Sequence, residues 1–191
     1  IIAVGLALYI MMLIPVMFIC ELYRKSPTPI ANIGSTLMGI VYVAMPLALL
    51  FFIPLLLGRG VWNPWALIFY IFIIWANDVC AYLVGMSIGK HRLFQRISPK
   101  KSWEGFIGGL VGAMVMGSTF MEGTHAIWIG MALIAAITGV FGDLVESLLK
   151  RSVDVKDSGN ILPGHGGWLD RFDALLLSIP FVFIYLVFCI D

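Results

Sequence analysis

Residues 147–173 read SLLKRSVDVKDSGNILPGHGGWLDRFD. A third of them are Lys, Arg, Asp or His, although only 12% of the 191-residue chain is charged. The segment lies between two apolar runs, each close to the ~20 residues that a helix needs to cross about 30 Å of hydrocarbon. A loop this polar between membrane helices, with acids running on into the helices, reads as a place where a charged substrate is handled.

The composition of the whole chain sets the solvent. Hydrophobic residues make up 61% of it, the formal net charge is +1, and the mean hydropathy is +1.00. A water-soluble domain averages about 45–50% apolar and about 25% charged residues. The chain is therefore read as a membrane protein, with no sizeable soluble domain. A net charge this small gives no argument for nucleic acid; the distribution of charge is what informs. Cys20, Cys80 and Cys189 are dispersed in apolar runs, with no metal-ligand or disulfide spacing, and are expected to be buried free thiols.

Six stretches are long and apolar enough for spans, at about 1–20, 34–57, 62–85, 105–121, 126–149 and 172–190. None alternates with period two, so barrel strands are excluded in favour of helices. The fold expected is all-α, a polytopic integral membrane helical bundle of about six transmembrane helices. The opening IIAVGLALYIMML has neither initiator Met nor the basic n-region and cleavage site of a signal peptide, so the chain is read as an N-terminally truncated fragment. In the fourth span Gly105, Gly108, Gly109, Gly112 and Gly117 would let another helix approach closely, and such a helix permits a homodimer. Loops at about 21–33, 86–104 and 150–171 hold eleven of the twelve Lys and Arg residues. By the positive-inside rule these loops face the cytoplasm.

Acids within or beside the spans mark the candidate chemistry. Asp78 lies well inside the third span; Asp143 and Glu146 lie near the end of the fifth; Asp170 and Asp173 open the sixth. A charge at mid-bilayer costs roughly 2.5–3.5 kcal/mol on insertion scales, so such residues usually serve ions or substrates. Asp143, Glu146 and Lys150 recur at i, i+3 and i+7, on one helix face. Carboxylate oxygens suit Mg²⁺, which takes one or two protein acids together with substrate phosphates. The competing explanation is internal salt bridging, for example Glu146 with Lys150 or Asp170 with Arg171.

Around the acids lie groups suited to phosphate. Lys150, Arg151 and Lys156 form a cationic rim. His165 sits in the turn Pro163-Gly164-His165-Gly166-Gly167, whose glycines let backbone N–H groups approach a ligand. Ser98, Lys100 and Lys101 precede a helix N-terminus, where dipole and free N–H groups add to the positive charge. Lys90, His91, Arg92 and Arg96 are read instead as anchors to anionic headgroups.

These residues carry a resemblance. Ser147, Lys150, Arg151, Lys156, Asp157, Gly159, Pro163, His165, Gly166, Gly167, Asp170, Arg171 and Asp173 stand at the spacing of the phosphatidate cytidylyltransferase (CDP-diacylglycerol synthase) signature. Trp168 replaces the aliphatic residue or Phe usual after the double glycine. Trp75-Ala76-Asn77-Asp78, the stretch from Ser98 to Gly105, and Gly142-Asp143 also resemble this family, which covers roughly residues 62–190.

The resemblance implies transfer of the cytidylyl group of CTP to phosphatidic acid, giving CDP-diacylglycerol and pyrophosphate, with Mg²⁺ required, as one ion or two. It implies metal ligation by Asp143 and Asp170, with Glu146, Asp173 and Asp78 in support. CTP phosphates would fall to Lys150, Arg151, Lys156 and His165, and further substrate contacts to Ser98, Lys100, Lys101, Gly166, Gly167 and Arg171. Residues 1–61 are then N-terminal membrane spans, and 62–191 a catalytic membrane domain with cytoplasmic loops 86–104 and 150–171. A bacterial inner membrane is the expected location. The rivals are a CTP-dependent synthase or kinase acting on an archaeal-type ether lipid or a polyprenol, and an ion-coupled transporter.

Overall fold

The computed structural model describes residues 2–119, 125–155, 158, 159 and 167–190, with side chains from residue 11 onward. The chain divides into two compact units, residues 1–45 and 46–191. In the first, α1 (Ile2–Arg24) is followed by α2 (Pro29–Gly39) and a π-helical segment, Ile40–Ala44. Pro29 occupies the first turn of α2, where its missing N–H costs nothing. The Asn32 side-chain amide donates to Glu21 Oε1 at 2.6 Å, tying the end of α1 to the start of α2.

The second unit begins within α3 (Met45–Leu50) and continues through α4 (Ile53–Leu57) and α5 (Pro64–Ile88). A short hairpin, β1 (Arg92–Phe94) and β2 (Ser98–Ser102), leads into α6 (Trp103–Thr119). The chain ends with α7 (His125–Ser152) and α8 (Leu169–Ile190). A left-handed pair, Arg59 at φ 50° and Gly60 at φ 87°, turns the chain after α4. Asn63 then caps α5 by accepting from the Trp65 N–H at 3.2 Å, with Pro64 in the first turn.

Among the described residues four helical stretches are long and apolar enough to cross a membrane: Pro29–Leu57, α5, α7 and α8. The described part of each of the six expected spans is mostly helical, although α6, at 17 residues, is not among these four. The long helix α5 turns large apolar residues outward, among them Trp75, Val79, Tyr82 and Met86, as a lipid-facing surface requires. Its inner side, with Tyr70 and Ile73, meets Trp128, Met131 and Ala132 of α7 and Ile179 and Val182 of α8 in one core. A hydrogen bond crosses that core. Ser178 Oγ donates to the Leu175 carbonyl, so the Tyr70 hydroxyl, 2.7 Å away, donates to it in turn. Burying the tyrosine is acceptable because its polar tip is satisfied.

The small-residue helix α6 packs as its sequence suggests. Gly105, Gly109, Ala113 and Gly117 recur every fourth residue and are all buried. A Cβ at Gly109 would fall 2.6 Å from Asn77 Oδ1 and 2.9 Å from the Asn77 carbonyl oxygen of α5. One at Gly117 would fall 2.9 Å from the Trp128 carbonyl oxygen of α7. Only glycine lets the three backbones come this close.

Two expectations need amendment. The polar stretch 86–104 is not plain loop: β1 and β2 pair antiparallel, Arg92 opposite Ser102 and Phe94 opposite Ser98, with an irregularity between the two registers. Two strands so short leave too little alternation in the sequence to be recognised. The thiols also differ from the buried ones expected, since Cys20 and Cys189 are exposed and Cys80 is half-buried. In a membrane protein an apolar residue gains nothing by turning inward, because lipid is as apolar as the core.

Candidate active site

The acids converge where α7 and α8 meet. Asp143 and Glu146 are one turn apart on α7, and Asp173 lies one turn into α8. One carboxylate oxygen from each lies within 4.8 Å of the others. Glu146 is 1% exposed and Asp173 9%. Asp173 Oδ1 accepts from the Ala174 N–H at 2.7 Å. Glu146 Oε2 takes the Lys150 ammonium at 2.8 Å, whereas its other oxygen, Oε1, is buried and has no hydrogen-bond partner among the described residues. A buried polar atom left so costs free energy unless something satisfies it. Three carboxylates around an orphaned oxygen fit a hard divalent cation, which seeks oxygen donors and offsets their mutual repulsion.

Asp170 is held differently, and outside that group of three. Its Oδ1 receives Lys150 Nζ at 2.6 Å. Its Oδ2 accepts from the Ser158 N–H, the Ser158 hydroxyl and the Gly167 N–H, at 2.9, 2.8 and 2.7 Å. Asp170 thus stands in the first turn of α8 as the anchor of the preceding loop, and Lys150 bridges it to Glu146. Both internal pairing and an acid cluster are therefore realised, on successive turns of one helix. The salt bridge absorbs Asp170 and half of Glu146; it leaves Asp143 and Asp173 to other partners.

Asp143 also lines a cleft of about 680 Å³. Helix α5 contributes Asn77 and Asp78 to it, the hairpin Arg92, Lys100 and Lys101, and α7 Asp143. Lys101 Nζ reaches across to α7, 2.5 Å from Asp143 Oδ2 and 3.4 Å from the Val140 carbonyl. Ser147 Oγ donates to Asp143 Oδ1 at 3.4 Å. Asp78 is thus brought to the same cleft as Asp143, without joining the group of three. Arg92, read from sequence as a headgroup anchor, lines the cleft beside Lys100 and Lys101. Only the pairing of β1 with β2 could have revealed that.

The hairpin is fastened to α6 by Glu104. Its carboxylate accepts the backbone N–H of Lys90 at 3.1 Å, that of His91 at 3.2 Å, and His91 Nδ1 at 2.6 Å. The Trp103 N–H donates to the His91 carbonyl at 2.9 Å, and Ser102 Oγ accepts from the Gly105 N–H at 3.2 Å as a helix cap. The hydrogen bond from His91, with the backbone donors, holds the Glu104 carboxyl down to about 2. This clasp sets where β2 carries Lys100 and Lys101. The sequence placed both lysines at a helix start but gave no sign of the clasp, because its partners lie thirteen and fourteen residues apart.

The remaining candidates are more peripheral. Ser98 is half-buried at the start of β2, Arg151 is exposed at the end of α7, and Arg171 is exposed in the first turn of α8. Gly167 contributes its N–H to Asp170. Lys156, His165 and Gly166 lie outside the described residues. Asn77, which the sequence did not mark as part of the site, is 2% exposed and donates to Asp78 Oδ1 at 3.5 Å, while its own Oδ1 is buried without a partner among the described residues.

Comparison with known proteins places the chain in a family. A phosphatidate cytidylyltransferase of Bacillus subtilis (strain 168) is 49% identical over 119 residues, covering 60% of this chain and 44% of that protein. One of Staphylococcus aureus (strain COL) is 48% identical over 120 residues, 60% of this chain and 46% of that protein. One of Staphylococcus saprophyticus is 42% identical over 126 residues, 63% of this chain and 48% of that protein. The chain spans less than half the length of these relatives. The sequence model of the Cytidylyltransferase family matches residues 1–189, and the chain belongs to that family.

Proposed function

We propose that this chain carries the catalytic part of a phosphatidate cytidylyltransferase, in which CTP and phosphatidic acid give CDP-diacylglycerol and pyrophosphate. The observation that carries the reading is the meeting of Asp143, Glu146 and Asp173 about a buried Glu146 oxygen that has no partner among the described residues, with Lys101 and Lys150 each paired to one of these acids. Cytidylyltransferase family membership and the names of the relatives support the choice of substrates.

In the reaction a phosphate oxygen of phosphatidate attacks the α-phosphorus of CTP in line. A new P–O bond forms as the bond from the α-phosphorus to the β-bridging oxygen breaks, and pyrophosphate leaves with that electron pair. The attacking oxygen is already anionic, so the protein need supply neither nucleophile nor strong base. Positioning and charge neutralisation carry the rate. Bound Mg²⁺, one ion or two, would neutralise phosphate charge and orient the leaving group. Asp143, Glu146 and Asp173 are the donors assigned to it, with Asp170 and Asp78 as flanking acids.

Lys150, Arg151, Lys156 and His165 are assigned to the CTP phosphates, and Gly166, Gly167 and Arg171 to further substrate contacts. Lys100 and Lys101, with Ser98 behind them, receive phosphate in the cleft. A cleft beside the apolar outer residues Tyr82 and Met86 of α5 suits a substrate whose headgroup is wet and whose chains remain in lipid. The cleft is assigned to the cytoplasmic side of a bacterial inner membrane, where CTP is found, and the glycine-lined α6 to helix packing within or between protomers.

The test is conversion of radiolabelled CTP and phosphatidate to a lipid-extractable product, identified by mass spectrometry. Asp143→Asn and Asp170→Asn are each expected to lose on the order of 100-fold in turnover at saturating Mg²⁺, as for other lost charge-stabilising groups. Near-normal rates in both would refute the assignment of the acids. Product formed only from an ether lipid or polyprenol would move the reading to a related lipid enzyme.

A further inference from the structure

Lys101 and Lys150 flank the same carboxylates, yet only one is free to leave. Lys150 grips two largely buried acids, Glu146 and Asp170, and is itself 18% exposed. Lys101 holds one acid, Asp143, whose side chain is 40% exposed, and its own is 25% exposed. It comes from the hairpin rather than from α7 or α8, and both members of the pair line the open cleft. A lysine is a point charge on a flexible four-carbon stem, so its ammonium can swing several ångströms while its backbone stays in place.

We propose that Lys101 is an exchangeable internal counter-ion: it neutralises Asp143 while the carboxylate cluster holds no metal, and is handed to a substrate phosphate when a divalent cation takes Asp143. This rests on the metal reading above and adds to it a coupling between two ligands. Asp143 Oδ2 has an ammonium 2.5 Å away and belongs to the residue that would ligate the cation. An ammonium and a dication cannot share that position, because their repulsion at such a separation outweighs what either gains. Each must displace the other.

The displaced lysine still lines the cleft, to which Arg92 and Lys100 add positive charge and Asp78 a negative one. A phosphate there supplies the charge that Asp143 has withdrawn. Whichever ligand arrives first must break the Lys101–Asp143 pair, and the second finds it broken. Metal and phosphate therefore bind with positive cooperativity, equal in both directions. In the unliganded protein the pair keeps Asp143 from standing as an uncompensated charge beside Glu146 and Asp173. Lys101 is thus a positioning residue for the metal and a binding residue for the phosphate.

The experiment is Mn²⁺ binding followed by electron paramagnetic resonance in detergent, without turnover. Wild type, Lys101→Met, Lys101→Arg and Asp143→Asn are compared, each checked for monodispersity and helical content. One arm adds phosphatidate and another cytidine 5′-monophosphate, so that the two tell which phosphate Lys101 receives. Lys101→Met should bind Mn²⁺ up to about fivefold more tightly than wild type without any phosphate, the size of one partly exposed ion pair. Lys101→Arg should restore the wild-type affinity. Phosphatidate or the nucleotide should tighten Mn²⁺ binding in wild type and do so much less in Lys101→Met. An unchanged or weaker Mn²⁺ affinity in Lys101→Met, while Asp143→Asn loses binding, overturns the exchange and leaves the metal site standing. Failure of either phosphate to shift the wild-type affinity overturns the handover. Mn²⁺ binding that survives Asp143→Asn intact would remove the metal reading itself, and this inference with it.

Discussion

Two lysine–carboxylate contacts border the acid cluster, and they are built to opposite specifications. At the α7–α8 junction Lys150 bridges Glu146 and Asp170, and Asp170 is further bound by Ser158 and Gly167. At the cleft Lys101 meets a single acid, Asp143, with only two long hydrogen bonds around the pair, from Lys101 to the Val140 carbonyl and from Ser147 to Asp143. Charges taken out of water must be compensated by geometry and by further hydrogen bonds, and the first contact has both. The second is short but more exposed, its further hydrogen bonds are long, and it stays solvated enough to be exchanged. Rigidity thus belongs to the junction that closes the loop before α8, and freedom to the side where a substrate would enter.

The largest effect should come from breaking the rigid contact. Lys150→Met leaves Glu146 and Asp170 buried without their shared cation, and is expected to cost about 3 kcal/mol of stability. The loose pair is the internal control: Lys101→Met should cost about 1 kcal/mol or less. Thermal unfolding of both variants in one detergent decides it, and equal losses would erase the distinction between the two sides.

An intermediate effect is expected where the cleft wall depends on close helix approach. A Cβ at Gly109 would press on Asn77 Oδ1 and the Asn77 carbonyl. Gly109→Ala should therefore cost about 1–3 kcal/mol by overpacking, and should disturb Asp78, the acid next to Asn77, more than the Lys150 network. Comparing its unfolding with its Mn²⁺ affinity locates the damage; losing the metal with no loss of stability would contradict the packing role given to α6.

The smallest effect concerns the clasp behind Lys100 and Lys101. Glu104 is held down to about 2 from its ordinary 4.5, chiefly by the hydrogen bond from His91. A depressed acid adds stability that is fully present above the unfolded value and is lost as pH falls through the folded one. The hairpin should therefore keep its amide protection down to about pH 4.5 and lose it progressively towards about 2. In Glu104→Gln that acid-dependent loss should disappear. Hydrogen exchange at Lys90 and His91 is the measurement, and identical profiles in the two proteins would show that the clasp does not secure the hairpin.

How much of this was legible beforehand differs from element to element. Helices α5, α7 and α8 could be read directly, because a run of apolar residues of bilayer length has one stable backbone solution. The glycines of α6 announced close packing, and the i, i+3 spacing put Asp143 and Glu146 on one face. The hairpin could not be read, since its two strands are too short to establish a period and Glu104 closes it from outside. Nor could the division of labour among the acids. Five carboxylates and several lysines allow many pairings, and spacing along one helix says nothing about partners on another.

Composition and spacing by themselves thus determined a membrane-embedded helical protein, the side of the chain on which its charge gathers, and the residue types at its candidate site. Tertiary structure alone decided that Asp143, Glu146 and Asp173 meet, that Asp170 is engaged by Lys150, Ser158 and Gly167, and that Lys101 faces Asp143 across a cleft. The reason is physical. Hydrophobic length is a property of each segment and is summed residue by residue, whereas the energy of a charge depends on the few ångströms to its neighbours, which are fixed only when separate helices pack.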